Sequence, residues 1–224
     1  MQKTILHVDL DEIIYLVAYR SERESDELYV LLELQGEINR RLGLVEHDEV
    51  IYYLSCSREA NFRRRLLPSY KAHRDKRKPP RWIKRLKYYA DTFLNVRSHP
   101  HLEADDLIGL AITNPDGNTH IAVTQDKDIR TVPGLSINPH TNPHMFSETT
   151  VDEASYNLMK QVLTGDTADG FKGCPGVGPK KADKILGGTT HRGWQKVYRA
   201  YLKAGLTREE MRIQYLMARI LRRE

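Results

Sequence analysis

The chain has 224 residues, 40% of them hydrophobic and 29% charged, which is enough for a sizeable core and excludes both a membrane protein and a disordered tail. Its 35 Lys+Arg against 30 Asp+Glu give a net charge of +5. No run approaches the ~20 apolar residues of a bilayer span, and MQKTILHVDLDE meets acid too early for a secretory signal. Cys56 and Cys174 match no metal spacing or disulfide framework, as expected in a reducing cytosol.

Thr4–Leu10 is a short apolar run ending in acid and predicts a buried strand, followed by helices over roughly Glu12–Arg20 and Asp26–Leu42. Val50–Leu54 predicts the next strand. The basic stretch Arg58–Lys87 follows, helical at its flanks and interrupted by Pro68, Pro79 and Pro80. Tyr88–Leu94 reads as helix, Asn95–Arg97 as a short strand and Leu102–Thr113 as a helix closed by the turn Asn114–Asn118. His120–Thr124 is the third clear strand and Leu135–Asn138 a weaker one. From Thr150 on the pattern is helical: Val151–Thr164, a Gly-rich segment Gly165–Pro179, then helices near Lys180–Leu186, Trp194–Ala204 and Thr207–Arg222. Alternating strand and helix before an all-helical end predict a mostly parallel α/β sheet over residues 1–150 and a helical subdomain over 151–224.

Charge is segregated along this order. Residues 1–57, 58–87, 88–169 and 170–224 carry −7, +11, −8 and +9. Such alternation suggests a polyanion gripped by the basic blocks and processed with metal at the acidic ones.

The acids stand where strands end. Asp9 and Asp11 close the first strand, Asp126 and Asp128 the third, and the helix near Leu102 opens with Glu103, Asp105 and Asp106. Asp166 and Asp169 lie in the Gly-rich loop. Taken singly these are ordinary caps and turn acids. Brought to one sheet edge, nine carboxylates would repel one another strongly without divalent cations. Oxygen-only donors suit Mg²⁺ or Mn²⁺, and two such ions about 4 Å apart can hydrolyse a phosphodiester. His99, His101, His140 and His144 read as surface loop residues.

In Arg58–Lys87, Arg63, Arg64, Arg65, Lys71, Arg74 and Lys76–Lys78 interleave with Phe62, Tyr70 and Trp82, the pairing of charge and stacking surface that single-stranded nucleic acid needs. In FKGCPGVGPKKADKIL, Gly176 and Gly178 let backbone N–H groups approach a phosphate, Pro179 suits the first turn of the next helix, and Lys180, Lys181 and Lys184 add charge. The segment predicts a helix-hairpin-helix that holds a DNA backbone without reading bases.

The ordered set VD, PSYKAHRDKRKPP, EADD, TQDKD and GDTADGFKGCPGVGPKKADKIL, from Asp9 to about Leu186, resembles the 5′-nuclease superfamily of flap endonucleases and bacteriophage 5′-3′ exonucleases. The resemblance implies a PIN-like α/β fold with a helical arch at about residues 58–87. It implies a metal-dependent nuclease acting on DNA 5′ ends, flaps or junctions, and on RNA in RNA–DNA hybrids. Asp9, Glu103, Asp105, Asp106, Asp126 and Asp128 match its metal-centre acids, and Asp166 and Asp169 those of a second metal position. Lys71 and Arg74 match the residues that reach the scissile phosphate. With Arg63, Arg64 and a base-stacking Tyr70 they make the arch's DNA contacts, and Gly176, Gly178, Lys180 and Lys181 those of the hairpin, whose carbonyls also hold K⁺ in the family. In one departure Ser55-Cys56-Ser57 stands where the family carries an Asp, a role that water or Asp11 could meet. A monomer in the cytoplasm, the host's if the source is a phage, is the accompanying expectation. The alternatives are a PIN-type ribonuclease and a catalytically impaired DNA-junction binding protein.

Overall fold

Side-chain alternation along the first strand sets the layers of the molecule. In the computed structural model, which describes residues 1–141 and 146–223, β1 (Thr4–Asp9) sends Leu6 and Val8 to one face of the sheet and Ile5 and His7 to the other. On the first face α1 (Leu10–Arg20), α2 (Glu27–Leu42) and α4 (Ile83–Phe93) bury Ile13, Ile14, Leu34, Ile38 and Leu86 against Leu6, Val8, Tyr52 and Val123. On the second, α5 (Ala104–Ile112) lays Ala104, Ile108 and Ile112 over Ile5, Ile51 and Ala122.

The sheet runs β3-β2-β1-β4-β5-β6, where β2 is Glu49–Leu54, β3 Val96–Ser98, β4 Thr119–Val123, β5 Gly134–Ile137 and β6 Ser147–Thr149. All pairings are parallel except β5 with β6. The expected α/β class and mostly parallel sheet are therefore present, with β6 as an edge strand absent from the sequence reading. His144 lies outside the described residues.

Thr150 caps α6 (Val151–Thr164) with a capping box, turning the chain from strand to helix. The segment from α6 through α7 (Pro179–Leu186), α8 (Gly193–Lys203) and α9 (Arg208–Ala218) closes a separate core around Met159, Leu163, Leu186, Val197 and Tyr201. Two residues cross between the layers. Tyr70 is buried in the helical core, and Ile220 returns beneath α5. Among the described residues no helix is long and apolar enough to cross a membrane.

The basic stretch departs from its expected form. Rather than a helical arch over 58–87, it holds a five-residue α3 (Phe62–Leu66), a 3₁₀ turn (Ala72–Lys76) and irregular chain. Pro68, Pro79 and Pro80 cannot sit inside a helix. Trp82, Ile83 and Leu86 are apolar and belong to the sheet's core, so the stretch's C-terminal end is part of a sheet-flanking helix.

Candidate active site

Parallel pairing of β1 with β2 and β4 brings their C-terminal ends to one edge, where open sheets leave a crevice. Asp9 caps α1, its Oδ1 accepting the Glu12 N–H at 3.2 Å. Asp126 follows β4 and caps the next turn by accepting the Asp128 N–H at 2.9 Å. Glu103 is the cap residue of α5, and Asp105 lies in its first turn. With Asp169, from the loop after α6, these four acids line one cavity of about 420 Å³.

Burial pushes the Asp9 carboxyl up to about 8, helped by the charges of Asp11, Glu12 and Asp126. Asp105 is raised well above the carboxylate range by burial and then by Asp126 and Asp9. Its Oδ1 is buried with no hydrogen-bond partner. Carboxylates crowded this way need protons or a cation between them. As the side chains lie, no three Asp, Glu, His or Cys among the described residues converge as a ready chelate. Even so, an all-oxygen donor set with an orphaned buried oxygen suits a hard divalent ion, so Asp9, Asp105 and Asp126 fit one.

Glu103 and Asp169, also on the cavity wall, face protein cations. Lys71 Nζ lies 2.6 Å from Glu103 Oε1 and 3.5 Å from Asp169 Oδ2. Arg74 donates to Asp169 Oδ1 at 3.0 Å, and the Tyr70 hydroxyl donates to Glu103 Oε2 at 2.8 Å. Burial alone would raise the Glu103 carboxyl, but Lys71 and Arg63 outweigh it and hold it below its ordinary range. Burial would likewise lower Lys71, yet Glu103 and Asp169 raise it. Lys71 takes a left-handed backbone, φ +51°, its N–H bonded to the Asp169 carbonyl at 2.8 Å. A non-glycine residue held there costs on the order of 1–3 kcal/mol, and the surrounding contacts hold it in place.

Three expected roles are corrected. Asp106 is fully buried, and both its oxygens receive Arg63 at 2.6 and 2.7 Å, with the Leu221 N–H at 3.1 Å; it is not free for a metal. Arg63 is correspondingly 2% exposed, also donates to the Arg219 carbonyl at 2.6 Å, and cannot meet DNA from there. Tyr70, also 2% exposed, has its ring in the helical core rather than offered to a base. The short α3 turns Arg63 inward, whereas Arg64 lines the cavity and pairs with Asp75.

Asp128 and Asp166 stand beside the main group but do not line the cavity. Burial and then Asp126 push Asp128 up to about 6, against a Gln161 amide donated at 2.8 Å. Asp166 accepts the N–H groups of Ala168 and Asp169, so one of its oxygens shapes the loop that presents Asp169. In the Gly-rich loop before α7, Gly176 needs its positive φ of +69°, while Gly178 has open space where a side chain would be and precedes Pro179 at the start of α7. Lys180 and Lys181 are exposed, and Lys181 Nζ donates to the Gly176 carbonyl at 3.0 Å.

At the position lacking a carboxylate, the Ser55 N–H donates to Asp11 Oδ2 at 2.6 Å, and Ser55 Oγ accepts the Ala104 N–H at 3.0 Å. An Asp11 carboxylate, paired with Lys87 at 2.6 Å, therefore reaches the end of β2. Burial, then Glu103 and Asp106, push the Cys56 thiol up to about 11, which leaves it a poor nucleophile. Tyr15, Tyr19 and Lys87 also line the cavity, and the sequence reading did not single them out. Tyr15 and Tyr19 are one helical turn apart on α1, a spacing that could have flagged them.

No family model matches the chain. It is 26% identical over 208 residues to an exodeoxyribonuclease of Enterobacteria phage T3, covering 76% of this chain and 68% of that protein. It is 26% identical over 205 residues to an exonuclease of Escherichia phage T7, covering 75% and 68%. The fold resembles the phage T5 D15 protein co-crystallised with metal ions, with a TM-score of 0.71 and 15% identity over 96% of this chain and 88% of that one. A flap endonuclease pseudo-enzyme–product complex of the same phage protein with DNA and metal ions gives a TM-score of 0.64 at 14% identity, covering 96% and 88%.

Proposed function

We infer from this fold, the acid cluster and the two exonuclease relatives that the chain is a 5′-nuclease, a phosphodiester hydrolase of the 5′-3′ exonuclease and flap endonuclease type. The observation that carries the reading is the juxtaposition of Asp9, Asp105 and Asp126 with Lys71 and Arg74 around one cavity. Phosphoryl transfer asks a protein mainly for positioning and for charge that meets developing negative charge.

Asp9, Asp105 and Asp126 would hold the divalent ion, Mg²⁺ or Mn²⁺, with Glu103, Asp128, Asp166 and Asp169 serving it or a second ion. When bound, such ions polarise the phosphodiester and lower the pKa of a water. Lys71 and Arg74 would leave Glu103 and Asp169 for the scissile phosphate, whose oxygens are better partners once the acids bind metal. Gly176, Gly178, Lys180 and Lys181 would anchor the duplex backbone beyond the cleavage point. A K⁺ on the hairpin carbonyls would share the Gly176 oxygen with Lys181. Substrates are DNA 5′ ends, flaps or branched junctions, with RNA–DNA hybrids as a further class, cut by a monomer in the cytoplasm, the host's if the source is a phage.

Digestion of 5′-labelled flap, nicked, blunt and RNA–DNA substrates with Mg²⁺, followed by product sizing, tests this reading. Short 5′-derived products are expected from flap or nicked DNA. Preferential cutting of single-stranded RNA would favour a PIN-type ribonuclease, and binding without any cleavage an impaired junction binder. Asp126→Asn is expected to abolish cleavage while DNA affinity, measured by fluorescence anisotropy, stays within about threefold. Full turnover by this variant in Mg²⁺ would overturn the assignment.

A further inference from the structure

Behind the acid cluster lies a charge that the proposed chemistry does not use. Arg41, near the C-terminal end of α2, has no exposed surface at all. Burying a guanidinium is costly unless every face is met. Arg41 Nη1 lies 2.6 Å from Glu12 Oε1, its Nε donates to Glu37 Oε1 at 3.0 Å, and its Nη2 is 3.4 Å from His140 Nε2.

Glu12 is the informative partner. Its side chain is 8% exposed, and it stands in the first turn of α1, between the ends of β1 and β4. Its Oε2 accepts the Gln125 N–H at 2.8 Å, and Thr124 Oγ1 lies 3.4 Å away. Thr124 Oγ1 in turn accepts the Asp126 N–H at 3.1 Å. The Glu12 backbone N–H meanwhile reaches Asp9 Oδ1 at 3.2 Å. One residue thus ties Asp9 and the backbone bearing Asp126 to a single point, and Arg41 holds that point from behind.

Resting on the nuclease reading above, we propose that Arg41 is a positioning residue. Through Glu12 it fixes the β4-end backbone that carries Asp126 and the first turn of α1 that Asp9 caps, setting the separation of two acids that share a metal. The physical need is specific. Glu12 is nearly enclosed beside the acid cluster, and Arg41, always cationic, meets its Oε1 at 2.6 Å while its Oε2 holds the Gln125 N–H. Groups that orient metal ligands from outside carry about 10–100-fold in affinity or activity.

The test compares Arg41→Met, Arg41→Lys and Glu12→Gln/Arg41→Met with the unaltered protein. Folded fraction is set by circular dichroism, Mn²⁺ binding is measured calorimetrically without DNA, and kcat and KM are measured on a 5′-flap duplex. The expected result for Arg41→Met is a 10–100-fold loss in Mn²⁺ affinity and a similar fall in kcat, with KM for DNA within twofold. Arg41→Lys should recover part of both. In the double variant the buried charge is removed with its partner, so thermal stability should return while Mn²⁺ affinity and kcat stay low. Unaltered Mn²⁺ affinity and kcat per folded molecule in Arg41→Met, or their full recovery in the double variant, would overturn the proposal. If Arg41→Met does not fold, unaltered Mn²⁺ affinity in Arg41→Lys and in the double variant overturns it equally. Absence of flap cleavage by the unaltered protein would sink the nuclease reading but leave the Mn²⁺ comparison standing.

Discussion

Buried charges decide most of what individual residues do here. Arg63 and Asp106 form a two-pronged pair with almost no solvent access, and removing one partner leaves the other uncompensated. Asp106→Asn is expected to cost about 3–5 kcal/mol in urea unfolding, and Arg63→Met/Asp106→Leu much less than Asp106→Asn alone. His7 presents the opposite case. It is 2% exposed, joined to Tyr53 at 2.8 Å and to His120 at 2.8 Å, and burial followed by the charges of His120 and Arg97 lowers it from 6.5 to about 3. The unfolded chain therefore binds the His7 proton first as pH falls, so the folded state loses about 1.4 kcal/mol per pH unit from 6.5 toward 3. Asp9, raised to about 8, works the other way, gaining stability as pH falls through 8 toward its ordinary value. Comparing His7→Gln with the unaltered protein by thermal melts at pH 7 and 5 isolates the first effect. Asp9 acts equally in both proteins, so the variant's stability should change more favourably from pH 7 to pH 5 than that of the unaltered protein.

At the scale of elements, the loop after α6 and the chain around Lys71 are fitted backbone to backbone. Gly170 has φ +78°, and a Cβ there would lie 2.5 Å from the Ser69 carbonyl. Gly170→Ala is expected to destabilise by ~2 kcal/mol or more and to loosen Lys71 from the Asp169 carbonyl. Faster hydrogen exchange at Lys71, read by mass spectrometry, checks this. The sequence legibly marked the strand-end acids and the Gly-rich loop before α7, because short apolar runs closed by acid and Gly-Pro punctuation are local signals. The basic stretch, read as helical at its flanks, has α3 and the start of α4 there. The family resemblance implied an arch, whereas Trp82, Ile83 and Leu86 had a sheet face to cover and Tyr70 a helical core to fill.

For the whole molecule, cations of the first basic block meet acids of the second acidic block across one cavity. Lys71 and Arg74 are neutralised by Glu103 and Asp169 before any phosphate arrives. Metal that occupies those acids should free the two cations. DNA affinity is therefore expected to fall more steeply with salt when Ca²⁺ replaces EDTA, the slope of log K against log[salt] growing by about 1–2. Equal slopes in titrations by anisotropy would show that the cations stay engaged with the acids.

The sequence by itself determined the fold class, the acids at the ends of the first and third strands, and the Gly-rich loop that leads through Pro179 into α7 with its lysines. Each is written in short-range pattern, and parallel strands necessarily end together. Only the tertiary structure decided which charges face the cavity. Asp106, Arg63 and Tyr70 carry the same local signature as their neighbours, yet α3 and α5 turn Arg63 and Asp106 toward each other and Tyr70 fills the helical core. Arg41 has only an i,i+4 pairing with Glu37 as a local signature, since its other carboxylate partner Glu12 stands 29 positions away and meets it only when α2 folds back along α1. Pairing of buried charge is a long-range demand, set by what the finished core encloses rather than by spacing along the chain.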